Sequence, residues 1–316
     1  MDSGLDNRRA AVCLSLGISE QFSRTGGIHL GRRQIRMGTA KSPFQILIQR
    51  AASSYIAGPT IASARLVCER LACSGIASTV CYWNRPSDSP LHTTERYLGL
   101  LDLIQDLPAG SYLSVKAPAL GFDMKLIEQV LDQALRTNTT VHFDAMSPET
   151  ADRTMALIEE ARRVYPNLGC TLPSRWSRSL RDLDRAIDWN MRIRLVKGEW
   201  PALNGEEMDP NEGFLKISER LAARSAPHVA IATHNRKVAL KCFEYLKGRV
   251  GSCELELLYG LPATRMLELA RQFNVLTRMY VPYGTSGLPY RLKHAARNPR
   301  IMAWFLRDLL RTMQKN

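Results

Sequence analysis

The sequence predicts a single (β/α)8 barrel. Three observations carry that reading: eight short apolar or β-branched segments alternate with eight amphipathic helical ones, the links between them are short, and no glycine fingerprint follows the first strand. An open doubly wound sheet would give fewer units per domain and would carry that fingerprint. At 316 residues and 45% hydrophobic, the chain is long and apolar enough to bury such a core, and 23% charged residues suit a globular protein.

The elements follow in order. Thr60–Ser74 reads as a helix preceding the barrel proper, with Ile61, Ala64, Leu66, Val67, Leu71 and Ala72 forming its stripe. The predicted strands are 75–83, 112–117, 140–144, 169–172, 192–197, 229–233, 254–259 and 276–282. The helices after the first seven are predicted over 94–105, 123–137, 148–165, 179–189, 211–224, 237–246 and 263–273. Helical segments follow the eighth strand to Met313, one of them beyond the eighth βα unit. The strands read as near-continuous apolar runs, the pattern of a parallel sheet covered on both faces. Residues 1–42 lack periodicity and are rich in Gly, Ser and Arg, so they read as a flexible basic leader to a barrel domain over 43–316.

Composition narrows the function. No apolar run approaches transmembrane length, and Asp2 and Asp6 argue against a secretory signal, so a cytoplasmic setting is expected. The seven cysteines are scattered without a CxxC pair and read as reduced thiols. No second His or Cys stands at metal-ligand spacing, and no metal is assigned. The net charge of +13 suits docking on an acidic protein or an anionic membrane surface. No nucleic-acid module accompanies it, so no nucleic-acid partner is expected.

In a barrel of this class, chemistry gathers at the carboxyl ends of the strands. The polar residues expected there are Asn84 and Arg85, Lys116, Asp144, Ser174 and Arg175, Arg194 and Lys197, Thr233, His234 and Asn235, Glu256 and Tyr259, and Tyr280 and Tyr283. Lys116 and Asp144 are expected to face inward as a pair on adjacent strand ends, either as a structural ion pair or as functional groups. Arg194 and Lys197 add positive charge near the centre, which points to an anionic ligand such as a phosphate-bearing cofactor. His234 alone reads more readily as a hydrogen-bonded structural residue than as a catalyst. Gly198 permits close approach of a ligand or simply a turn.

These strand ends also form an ordered set: Leu113-Ser114-Val115-Lys116, Phe143-Asp144, Arg194-Leu195-Val196-Lys197-Gly198, Ala232-Thr233-His234-Asn235, Leu258-Tyr259-Gly260, then Tyr280-Val281-Pro282-Tyr283-Gly284-Thr285 and Pro289-Tyr290. From about Tyr55 onward the chain resembles the proline dehydrogenase family in its short monofunctional form. That family is a flavin-dependent barrel that moves a hydride from a carbon beside the ring nitrogen of proline to the flavin and passes electrons to a quinone or other acceptor. The resemblance implies FAD as cofactor, held by Arg194, Val196, Lys197, Gly198, Thr233, His234 and Asn235. It implies Lys116, Asp144 and Tyr280 as catalytic residues, and Leu258 in the substrate pocket.

The departures sit mainly on the substrate side. Lys293-His294 stand where the family has the arginine pair that grips the substrate carboxylate, and Arg297 stands where it has an acid. Pro173 replaces a flavin-contacting Gln, Glu199-Trp200 replace Ala-Tyr, and the first strand ends in Trp83-Asn84-Arg85 without its usual acid. Lysine does not reproduce bidentate arginine. The expected substrate is therefore proline or a related amine or imino acid with a different or masked carboxylate, one version being an amine carried on an acidic protein. Two other readings stay open. One is a barrel enzyme using Lys116 or Lys197 as a Schiff-base nucleophile without flavin. The other is an inactive homologue kept as a binding protein.

Overall fold

A computed structural model describes residues 55–285 apart from 108, 109, 204, 225 and 250. Eight parallel strands close in chain order: β1 (Ala77–Tyr82), β2 (Tyr112–Val115), β3 (Val141–Phe143), β4 (Leu168–Pro173), β5 (Arg192–Val196), β6 (His228–Ala232), β7 (Cys253–Leu258) and β8 (Leu276–Tyr283), with β8 pairing back onto β1 from Ala77↔Arg278 to Tyr82↔Tyr283. Helix α1 (Ile61–Cys73) precedes β1, as expected. After β1 to β7 come α2 (Pro90–Gln105), α3 (Met124–Arg136), α4 (Ala151–Val164), α5 (Ser179–Asp188), α6 (Pro210–Ala222), α7 (Arg236–Leu246) and α8 (Thr264–Gln272). The leader, the helices expected after β8, Pro289-Tyr290, Lys293, His294 and Arg297 lie outside the described residues. No helix among the described residues is long and apolar enough to cross a membrane.

Local chemistry explains the element ends. Side-chain oxygens of Thr60, Ser89, Asp123, Asp209 and Asn235 accept from free backbone N–H groups at the starts of α1, α2, α3, α6 and α7. Proline fills the first turn of α2 and α6, where no donor is lost. The Ser89-Pro90 start places α2 four residues earlier than its predicted beginning at Thr94. Pro148–Thr150 forms a 3-10 turn leading into α4 rather than its first α-helical turn. At the other end, Asn138, Asn190 and Asn274 take left-handed φ of 49°, 55° and 50° just past α3, α5 and α8, turning the chain back toward the next strand.

The apolar core is the shell between strands and helices. Val80, Leu113, Val141, Ile193, Val229 and Leu255 are fully buried against helix residues such as Leu101, Ile127, Leu131, Ile158, Ile217 and Phe243. Their strand neighbours point the other way, into the lumen, and there the expectation of near-continuous apolar runs is corrected. Alternate positions in the middle of β5, β7 and β8 are polar: Arg192 and Arg194, Glu254 and Glu256, Arg278 and Tyr280. With Tyr112, Ser114, His142, Asp144 and Thr171 they contact one another across the barrel. The strands alternate because the two faces meet different surroundings, apolar helices outside and an ionic network inside.

Tyr112 occupies the middle of that network. The guanidinium of Arg278 lies 4.0 Å from its ring centre, Arg192 lies 5.5 Å away, and the His142 ring stacks at 5.6 Å. Below it, Arg278 grips Glu254 through two bonds of 2.8 and 3.1 Å, and His228 Nε2 lies 3.2 Å from the same carboxylate. Burial alone would raise the Glu254 pKa, yet Arg278 and His228 hold it down to about 2. His142 goes the other way. Burial and the nearby arginines 194, 192 and 278 push its pKa well below the ordinary value, so it stays neutral. Room for its ring exists because position 169 is glycine: a Cβ there would stand 2.2 Å from His142 Nδ1.

Two outcomes are expected. Gly169→Ala should cost on the order of 1–3 kcal/mol through overpacking, visible as a lower denaturation midpoint with an unchanged slope. Because Glu254 titrates lower folded than unfolded, its contribution is complete above about pH 4.5 and is lost as pH falls toward about 2. Thermal melts should show that acid limb in the native chain and a shallower one in Glu254→Gln, which should also melt lower at neutral pH.

Candidate active site

The upper half of the lumen is organised around Arg194, which is 3% exposed. Strand β5 aims its side chain into the barrel. Nη1 donates to Glu256 Oε1 at 3.1 Å, Nη2 forms an ion pair with Asp144, and Nε and Nη2 donate to Thr171 Oγ1 at 3.2 and 2.9 Å. Nη2 also donates to Ser114 Oγ at 3.3 Å, and Ser114 in turn donates to Asp144 Oδ1 at 2.7 Å. Thr171 already accepts from Arg194, so its hydroxyl hydrogen goes to His142 Nε2, 3.1 Å away. Burial works against the guanidinium's charge, but Glu256 and Asp144 outweigh it and hold Arg194 protonated.

Asp144 links this network to the barrel mouth. Its Oδ2 accepts from Tyr280 Oη at 2.8 Å and lies 3.7 Å from Cys81 Sγ. The Tyr280 ring also faces the Arg194 guanidinium at 5.1 Å. Burial and the Asp144 carboxylate raise the Tyr280 pKa well above its ordinary value, so its hydroxyl keeps its proton. The expected pairing of Lys116 with Asp144 is corrected: the ion pair forms with Arg194. Lys116 Nζ donates instead to the Tyr82 carbonyl at 2.9 Å and sits 5.8 Å from the centre of the Trp83 ring. The β2–β3 register carries Lys116 next to Asp144, but its ammonium is held by the Tyr82 carbonyl, and Arg194 reaches the Asp144 carboxylate from β5.

The mouth opens just above Arg194. The inward residues Val196, Ala232, Leu258 and Tyr280 are half-buried, whereas Arg194, Ala230, Glu256 and Arg278 one layer below are buried. The result is a shallow floor of small and aliphatic side chains with a hydroxyl at one edge and a cation underneath. The expectation of a net positive centre is corrected as well, since Arg194 is matched by two acids. Lys197 falls on the other parity of β5, one residue past its end, and is exposed at the rim.

Thr233, His234 and Asn235 form the start of α7. Thr233 Oγ1 accepts from the Asn235 N–H, and Asn235 Oδ1 caps Lys237 and Val238. His234 bridges two strand ends: its Nε2 accepts from the Leu258 N–H at 3.0 Å, which places the ring proton on Nδ1, 3.4 Å from the Pro262 carbonyl. Burial lowers its pKa. Both ring nitrogens thus serve the backbone, and His234 acts on the site by fixing Leu258.

One wall is preformed. The β4–α5 turn and the 197–209 loop are stitched together by Arg175 with Glu207, by Arg175 Nη1 on the Glu199 carbonyl at 3.2 Å, by Trp176 Nε1 on the Trp200 carbonyl at 2.9 Å, and by Met208 N–H on the Arg175 carbonyl at 2.8 Å. Gly198, with φ of +86°, is pressed against this wall: a Cβ would stand 2.7 Å from Pro173 Cβ and 3.1 Å from Arg175 Cδ. The glycine is required by that close approach as well as by its backbone conformation.

The structure thus brings Asp144, Arg194, Tyr280, Val196 and Leu258 together, with Lys116 nearby and Thr233, His234 and Asn235 on the rim. Glu256 stood among the strand-end polar residues without a site role, and Ser114, Thr171, Cys81 and Tyr112 were missed. The alternation of charged and aliphatic residues in Arg-Ile-Arg-Leu-Val and Cys-Glu-Leu-Glu-Leu was the signal that marks an inward polar face. Replacing Arg194 by Met leaves two buried carboxylates without their cation. We expect a loss of about 3–5 kcal/mol in stability by chemical denaturation, partly recovered when Glu256→Gln is added.

No family model matches the chain. It is 24% identical over 275 residues to proline dehydrogenase 1 of Bacillus subtilis (strain 168), covering 82% of this chain and 91% of that protein. It is 26% identical over 283 residues to the proline dehydrogenase of Deinococcus radiodurans, covering 82% and 90%. Among solved structures, proline utilization A (PutA) from Bdellovibrio bacteriovorus, inactivated by N-propargylglycine, superposes with a TM-score of 0.65 at 16% identity, over 74% of this chain and 31% of that one. The chain thus spans about a third of that protein's length, and the likeness carries the barrel fold alone. The ordered strand-end motifs among the described residues fall at the carboxyl ends of a closed eight-stranded barrel, and the relatives matched over nine-tenths of their length are proline dehydrogenases, so the chain is similar to that family at 24% and 26% identity.

Proposed function

We propose that this barrel, taken over residues 43–316, is an FAD-dependent dehydrogenase that oxidises the C–N bond of proline or a proline-like amine to the imine. The observation that carries the reading is the barrel mouth, where a half-buried floor of Val196, Ala232 and Leu258 lies over the buried Arg194 with Tyr280 at its edge. Small and aliphatic side chains above a fixed cation suit a flat, electron-accepting ring system, and the residues present fit a flavin. The proline dehydrogenases of Bacillus subtilis and Deinococcus radiodurans support the same reaction class.

In this reading Arg194, Val196, Lys197, Gly198, Thr233, His234 and Asn235 hold the cofactor, with exposed Lys197 and the start of α7 toward its anionic part. When bound, the flavin accepts the hydride, and a quinone or another acceptor takes the electrons from it. The chain's own residues place the donor carbon and manage the proton. Tyr280 stays protonated and packs against the substrate. Asp144 accepts hydrogen bonds from Tyr280 and Ser114 and orients the amine or its leaving proton. Lys116, held on the Tyr82 carbonyl, orients the substrate with Asp144, and Lys293 and His294 meet whatever replaces the carboxylate contact. Leu258, fixed by His234, closes the pocket. Lys293-His294 in place of two arginines suit a different or masked carboxylate better than that of free proline, such as an amine held on an acidic carrier.

The experiment is a visible absorbance spectrum of the purified full chain, before and after anaerobic addition of L-proline or L-proline methyl ester. Flavin bands that bleach establish the dehydrogenase, and faster bleaching with the ester than with proline supports the masked-carboxylate pocket. Absence of flavin after incubation with FAD overturns the reading in favour of the lysine enzyme or the binding protein. Lys293→Arg with His294→Arg should speed flavin reduction by free proline about tenfold or more, corresponding to about 1.4 kcal/mol. An unchanged rate in a flavin-loaded variant shows that the pocket differs in more than this pair.

A further inference from the structure

The geometry points to Glu256 as a positioning residue that sets the charge Arg194 presents to the cofactor; this rests on the flavin reading above. Glu256 is 2% exposed and projects from β7 into the lumen, one layer beneath Leu258 of the mouth. Its Oε1 accepts from Arg194 Nη1 at 3.1 Å and its Oε2 from the Tyr112 hydroxyl at 3.3 Å. Tyr112 is itself clamped by Arg278, 4.0 Å from its ring centre. The carboxylate is thereby anchored from below and presses on Arg194 from the side opposite Asp144.

The two acids differ in what they can reach. Asp144 bonds Tyr280 at the half-buried mouth, so a bound substrate competes for it. Among the described residues Glu256 bonds inward, to Arg194 and Tyr112, and its hold on Arg194 persists whatever Asp144 is doing. Arg194 with Asp144 alone sums to no net charge beside a reduced, electron-rich flavin. Glu256 adds a second carboxylate and leaves the cluster net negative, in surroundings that screen charges weakly. Glu256 therefore shifts the bound cofactor toward its oxidised form and lowers its midpoint potential, while keeping the guanidinium in one place.

The test is the midpoint potential of bound FAD in the full chain, measured by anaerobic dye-coupled titration for native protein, Glu256→Gln and Glu256→Asp. Glu256→Gln keeps the shape and one acceptor oxygen, which can hold the Arg194 bond while the amide NH2 donates to the Tyr112 hydroxyl, but removes the charge. It is expected to favour the reduced over the oxidised cofactor about tenfold, a positive shift of about 30 mV for a two-electron couple. Glu256→Asp, which keeps the charge, is expected to stay near the native value. Equal potentials for native and Glu256→Gln protein, or an equal shift in both variants, would overturn the assignment. Tyr112→Phe gives a second test if Glu256→Gln does not fold: without the phenol the carboxylate bears wholly on Arg194, and the potential should move negative, whereas an unchanged value counts against Glu256. Native protein that takes up no FAD removes the flavin reading itself. That outcome is distinct from a flavoprotein whose potential ignores Glu256.

Discussion

A charge buried inside a closed barrel must meet its opposite there, and that constraint organises this molecule. Water cannot solvate Arg194 at the centre of the lumen, so Asp144 and Glu256 do, and Thr171 and Ser114 accept further bonds from Nε and Nη2. The same rule repeats below, where Arg278 is matched by Glu254. Three arginines and three carboxylates, spread over β3, β5, β7 and β8, thus alternate through the barrel, with Tyr112 between the layers. Each side chain holds its neighbours in a single arrangement, because moving one leaves another unpaired.

That network gives the mouth its properties. A guanidinium bonded on several sides cannot turn, so the surface above it has a fixed electrostatic pattern without any contribution from a mobile side chain. Tyr280 and Asp144 then join the rigid interior to the open floor, and they are the two polar groups on that path that a substrate would meet. The wall built from the β4–α5 turn and the 197–209 loop adds a second fixed boundary, with Gly198 as the point of closest approach. Such preorganisation suits a reaction in which a donor carbon must be set against an acceptor ring.

Much of this was legible along the chain. The alternation of β-branched runs with amphipathic stripes specified eight βα units, whereas the Ser89-Pro90 cap set the start of α2 four residues before the expected Thr94. The strand-end polar residues, including Asp144, Arg194 and Tyr280, were visible as a set, because a barrel of this class places its chemistry there. Less legible was the inward face. Arg-Ile-Arg-Leu-Val read as an apolar strand with a charged end, although its arginines occupy alternate positions and belong to one face.

The sequence by itself determined the fold class, the order of the elements and the residues at the carboxyl ends of the strands. All three follow from periodicity and local chemistry that operate within a dozen residues. Only the tertiary structure decided who pairs with whom. Asp144 takes Arg194 rather than Lys116, His234 spends both ring nitrogens on backbone, and Glu256 joins the site from 62 residues beyond Arg194. Those choices depend on the closed sheet's register, which sets the height of each side chain in the lumen, and no local pattern encodes a distance across the barrel.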